Sequence, residues 1–199
     1  LGSRASGDVE VARVATAIAD PSIGSPSPRR DHRVVILGDT HGQLTDLLWI
    51  FATLGLPSDK NVYVVNGDLV DRWIFGAELC ALLFTLMLQH PAENVVVVNR
   101  GNHECMTMNG SRCGGFKKEL LEKYGPSWGP YLHEVFGSVF ALLPVATVID
   151  ESILVVHGGI GQNPEEQFQL LQELTFEQRE PTLNMWNIDG DPHIDAMVD

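Results

Sequence analysis

Four short apolar runs in this chain each stop abruptly at a glycine-flanked polar cluster. Val34-Val35-Ile36-Leu37 ends at Gly38-Asp39-Thr40-His41-Gly42, and residues 61–65 lead to Gly67-Asp68-Leu69-Val70-Asp71-Arg72. Residues 94–98 run into Arg100-Gly101-Asn102-His103-Glu104, and residues 152–156 into His157-Gly158-Gly159. Short β-branched runs bounded by turn residues read as buried strands. Helix-like stretches lie between them, at 44–54 and at 76–89, the latter with Ala77, Cys80, Ala81, Phe84 and Leu88 on one face. Residues 116–124 and 131–136 read as two further short helices. This alternation predicts an α/β domain. In such domains ligands collect outside the carboxyl ends of the strands, so the four clusters can converge on one site.

Residues 1–31 read differently. They are rich in Ala, Ser, Gly and Pro and end in Ser25-Pro26-Ser27-Pro28-Arg29-Arg30, which is the composition of a leader or linker, with a short helix expected over residues 9–18. The chain therefore divides into a leader (1–31) and a folded portion (32–199). The 26 acidic residues outnumber the 13 basic ones, and a formal net charge of −13 argues against non-specific nucleic-acid binding. The longest apolar stretch, at 79–88, is about half a membrane span, which argues against a membrane-spanning helix. Three cysteines, Cys80, Cys105 and Cys113, make neither a disulfide framework nor a four-cysteine zinc site. A reducing compartment is the expectation, cytoplasmic or nuclear.

Aspartate and asparagine offer hard oxygen ligands, and histidine offers imidazole nitrogen. That mixture suits Mn, Fe or Zn better than Ca. One Gly-Asp or His-Gly pair is ordinarily just a turn. Four such clusters in order, each straight after a strand, are a site.

The series Gly38–Gly42, Gly67–Arg72, Arg100–Glu104 and His157–Gly159 resembles the PPP family of metal-dependent protein serine/threonine phosphatases, from residue 33 to about 199. Intervening stretches, including Met108-Asn109, residues 115–119, Leu143-Pro144 and Ala146-Thr147, are similar to the branch that carries EF-hand calcium modules. The resemblance implies a metallophosphoesterase-like α/β fold, a central β-sandwich flanked by helices, here lacking its C-terminal part. It implies two metal ions that activate a bridging water, and phosphoprotein substrates. By position, Asp39 and His41 would bind the first metal, Asp68 would bridge both, and Asn102 and His157 would bind the second. Arg72, with Asn102, would grip the phosphate. His103 would be the general acid, oriented by Asp71.

Two departures stand out. Trp73 occupies a position where the family usually has glycine, and the loop at 112–115 is longer than the family pattern. His32, His90 and His133 lack flanking ligands and are expected at the surface or as helix caps. Cys105 and Cys113 are expected to be inert, and Met106 and Met108 to be packing residues. The acidic segment 187–195 tempts an EF-hand reading, but its spacing fails. The family's later metal-binding histidine and second phosphate-gripping arginine have no counterpart before residue 199. A piece ending there is expected to bind at most about one metal and to show little activity. Three readings stay open: a protein phosphatase, another metallophosphoesterase acting on nucleotides or phosphodiesters, and a non-catalytic scaffold.

Overall fold

A computed structural model describes residues 12–14, 33–89, 94–110 and 115–173. In chain order the elements are β1 (Ala12–Val14), β2 (Arg33–Leu37), α1 (Leu44–Leu54), β3 (Asn61–Val65), α2 (Gly76–Gln89), β4 (Val96–Val98), α3 (Met106–Gly110), α4 (Phe116–Phe140), β5 (Ala146–Ile149), β6 (Ile153–Val156) and α5 (Pro164–Glu173). They form two three-stranded sheets. One is parallel throughout, in the order β2-β3-β4, and the other runs β1-β5-β6. In the second sheet β5 and β6 are an antiparallel pair.

Strand periodicity explains how the layers assemble. Alternate residues of a strand face opposite sides of its sheet. Val35, Leu37, Tyr63, Val65, Val96 and Val98 face the helices and join the main core with Leu47, Phe51, Leu79, Leu83 and Phe116. Their neighbours Val34, Val62, Val64 and Val97 face the other way and pack with Ile149 and Val155 of the second sheet. All five residues of β3 are consequently buried, which is why Val62-Tyr63-Val64-Val65 is a continuous apolar run rather than an alternating one. The two sheets and the helical layer form the expected β-sandwich with flanking helices.

The segment around Ala12–Val14 corrects one expectation. Instead of a helix over residues 9–18, these three residues form an edge strand in parallel register with β5, with Ala12 opposite Thr147. Such a pairing joins residues far apart in sequence, so local composition carries no trace of it. The two short helices expected at 116–124 and 131–136 are parts of one longer helical stretch, broken at Gly125. Gly125 has φ of 75° and ψ of 177°, a conformation open essentially only to glycine, and Pro126 starts the next segment where its missing N–H costs nothing. Among the described residues no helix is long and apolar enough to cross a membrane. The acidic segment 187–195, His32, His90, Cys113 and most of the 112–115 loop lie outside the described residues.

Candidate metal centre

Each polar cluster begins where its strand ends, and the folded chain brings all four together. The approach is close enough to demand glycine. Gly67, at φ 85°, and Gly101 lie backbone against backbone, and a Cβ on Gly101 would sit 2.4 Å from both the amide nitrogen and Oδ1 of Asp68. His41, Asp68, Asp71 and Arg72 all have positive φ, between 41° and 68°. Non-glycine residues adopt that conformation at a cost, and they cluster where the surroundings dictate it, commonly at functional sites.

Asp68 lies at the centre. It is 3 % exposed, and its two carboxylate oxygens face different histidines. Oδ2 is 3.4 Å from His41 Nε2, and Oδ1 is 3.4 Å from His157 Nε2. Asp39, half-exposed, adds a carboxylate oxygen 3.7 Å from His41 Nε2. Asn102 Oδ1 is 3.0 Å from His157 Nε2. The donor atoms of Asp39, Asp68 and His157 lie within 4.8 Å of one another, and so do those of His41, Asp68 and His103.

The hydrogen bonds on the far side of each imidazole decide what its near side offers. His41 Nδ1 donates to the Val70 carbonyl at 2.7 Å, and His157 Nδ1 donates to the Asn66 carbonyl at 2.6 Å. With the Nδ1 side of each ring occupied, Nε2 is the nitrogen turned to the centre and free to offer a lone pair to a metal ion. His41 Nε2 is buried and has no hydrogen-bond partner. His157 Nε2 faces the amide oxygen of Asn102, acceptor against acceptor. Acceptors arranged this way around a shared, buried carboxylate are the donor set that a cation satisfies, and a carbonyl behind each histidine is the usual support for a ligating imidazole. The residues present fit metal ions.

His103 stands apart from this pattern. Its Nδ1 is 2.6 Å from Asp71 Oδ2, and its Nε2 is directed to the centre, 3.9 Å from Asp68 Oδ2. Asp71 is 1 % exposed, and its other oxygen accepts the Phe116 N–H at 2.6 Å. A buried carboxylate on Nδ1 fixes the orientation and the plane of the ring. Arg72, in the same turn as Asp71, is exposed. Trp73 beside it is 58 % exposed, and Ile74 and Phe75 continue an apolar rim.

Several residues that build the site receive no role from the sequence alone, although some of them stand inside its motifs. Glu104, fully buried, accepts N–H bonds from Asp68 (2.7 Å), Leu69 (2.8 Å) and Gly101 (2.8 Å), locking the loop after β3 to the loop after β4. Burial pushes its carboxyl above the ordinary range, with Asp68 adding to the effect, while the three N–H bonds oppose the rise. Asn66 donates to the Val156 carbonyl at 2.9 Å, and Asn99 donates to Asn66 Oδ1 at 2.8 Å and to the Val155 carbonyl at 3.1 Å. Thr147 donates to Asn99 Oδ1. This network spans the two sheets and sets the position of His157. Glu119 of α4 accepts the N–H groups of Gly76 and Ala77, satisfying the first turn of α2 from another helix. His133 corrects the expectation of a surface or capping role: it is 4 % exposed and its Nε2 is 2.6 Å from Asn109 Oδ1.

Comparison with known proteins agrees with this geometry. The family model described as calcineurin-like phosphoesterase matches residues 32–198. The chain is 43 % identical over 141 residues to the rat serine/threonine-protein phosphatase with EF-hands 1, covering 71 % of this chain and 21 % of that protein. It is 38 % identical over 162 residues to serine/threonine-protein phosphatase T of Schizosaccharomyces pombe, covering 81 % of this chain and 33 % of that protein. Among solved structures, a protein serine/threonine phosphatase from Saccharomyces cerevisiae superposes with a TM-score of 0.67 at 29 % identity, over 84 % of this chain and 50 % of that one. The chain thus spans about a fifth to a third of the length of these curated relatives.

Proposed function

Because this chain belongs to the calcineurin-like phosphoesterase family, we propose that its strand-end cluster hydrolyses phosphoserine and phosphothreonine in proteins. The relatives named as serine/threonine-protein phosphatases support this reading. The observation that carries it is the His103–Asp71 pair, which aims the imidazole Nε2 at the centre defined by Asp68.

In this reading Asp39, His41 and Asp68 hold one metal ion, and Asp68, Asn102 and His157 hold the second. The mixed carboxylate, imidazole and amide donors suit Mn, Fe or Zn. The chemistry that bound metal ions supply is a lowered pKa for water and neutralisation of phosphoryl charge. Arg72 binds phosphate oxygens through its fork of N–H donors, beside Asn102. As the water oxygen bonds to phosphorus, the bond from phosphorus to the seryl oxygen breaks. His103 gives its Nε2 proton to that departing oxygen, which leaves as a neutral alcohol. Asp71 holds the ring in place. The phosphoryl group passes directly to water, and no cysteine takes part.

The test compares turnover of a phosphoserine peptide with turnover of a dinucleoside polyphosphate, in the full-length protein supplied with Mn. Preferential hydrolysis of the peptide supports the proposal. Preferential hydrolysis of the polyphosphate moves the chain to a nucleotide-cleaving class, and no turnover of either substrate by metal-loaded protein favours a scaffold.

A further inference from the structure

His103 is fastened at three points. Its backbone N–H donates to Asp68 Oδ1 at 3.0 Å, its Nδ1 pairs with Asp71, and its carbonyl accepts from Asn109 Nδ2 at 2.9 Å. The first two fastenings belong to the site itself. The third leads out of it. A carbonyl can only accept, so the amide group of Asn109 that faces His103 is its NH2, and its Oδ1 faces His133. The His133 nitrogen at 2.6 Å from that oxygen is therefore the donor, which fixes the ring as the Nε2–H tautomer. Asn109 is fully buried and His133 nearly so. Gly110 makes room for the ring, because a Cβ there would lie 3.3 Å from His133 Cε1.

We propose that His133 and Asn109 form a positioning relay that fixes the backbone of His103 and so aims its imidazole at the leaving group. This inference rests on the phosphatase reading above. The relay crosses from α4 through α3 to the loop after β4, and it gives the general acid an anchor independent of Asp71. Loss of the relay lets the peptide of His103 shift, and a misplaced acid is penalised most where the leaving group most needs its proton. An alkoxide from serine needs it, and nitrophenolate does not.

The experiment measures kcat and KM of the full-length protein for a phosphoserine peptide and for 4-nitrophenyl phosphate, with metal content and thermal midpoint recorded for each variant. For His133→Phe, which keeps an aromatic ring but removes the donor, kcat on the peptide should fall roughly ten-fold with KM nearly unchanged. The loss on nitrophenyl phosphate should be much smaller. His133→Gln, whose amide N–H reaches the same place, should restore most of the rate. Asn109→Ala should reproduce the loss, and the double variant should be no slower than either single one, because the two residues act as one unit. If His133→Phe does not fold, the Asn109→Ala variant carries the same expectation. Equal losses on both substrates, additive losses in the double variant, or full activity in a folded His133→Phe protein would each overturn the relay. An unaltered, metal-loaded full-length protein with no peptide turnover overturns the phosphatase reading instead, and the relay with it.

Discussion

Gly67 and Gly101 meet backbone to backbone, so closely that a Cβ built on Gly67 would lie 2.5 Å from the Gly101 nitrogen. This contact brings the loop after β3 against the loop after β4, and thereby puts Asp68 within reach of both Asn102 and His103. Glu104 then holds the arrangement through three backbone N–H groups.

Gly101→Ala should therefore damage the centre without touching a ligand. The added methyl would lie 2.4 Å from backbone and carboxylate atoms of Asp68, neither of which can swing away. A cost of about 1–3 kcal/mol in stability is expected from such overpacking, with a matching loss of metal affinity. Denaturant unfolding and metal titration check both, and a variant with unchanged metal affinity would show that the loop contact does not set the site.

His103→Asn should separate acid catalysis from metal binding. The variant should keep its metal content and lose roughly 10²–10⁴ in turnover of a phosphopeptide, the range for a missing general acid. The loss should shrink on nitrophenyl phosphate. Loss of metal along with activity would instead make His103 a ligand, a role its position near His41 and Asp68 allows geometrically.

His133 should leave a mark on acid stability. Burial, together with the charge of Lys117, lowers its pKa from the ordinary 6.5 to about 4, while Asp71 pulls weakly the other way. Between those values the unfolded chain binds a proton that the folded chain refuses. The stability contribution is thus complete above pH 6.5 and is lost as pH falls toward 4. The urea midpoint of the unaltered chain should drop more steeply across that window than that of His133→Gln. Parallel curves would show that His133 is not held neutral in the fold.

Much of this was legible in the sequence wherever a signal is local. The runs at 33–37 and 61–65 carry their own β-branched pattern, and the glycine-flanked clusters directly after the strands name the residues that the fold brings together around Asp68. The roles of the residues that support them were not legible, even for Glu104, which stands inside one of the clusters. Glu104 bonds to Asp68 and Leu69 across 36 and 35 positions, Glu119 bonds to Gly76 across 43, and Asn66 bonds to Val156 across 90. No periodicity links such partners. Strand β1 was hidden for the same reason, because Ala12 pairs with Thr147 and its neighbourhood looks like linker. His133 reads as an isolated polar residue on a helix. Only the packing of α3 against α4 buries it and supplies its acceptor.

The central claim is that Asp68 is the shared ligand of a two-metal centre that hydrolyses phosphoproteins, and it is tested most directly by metal content and phosphopeptide turnover of Asp68→Asn measured side by side. That substitution keeps the size of the side chain and removes the charge that faces both His41 and His157. The account predicts depletion of metal at both positions and a fall in turnover of several orders of magnitude. A variant that retained normal metal content and a normal rate would contradict it.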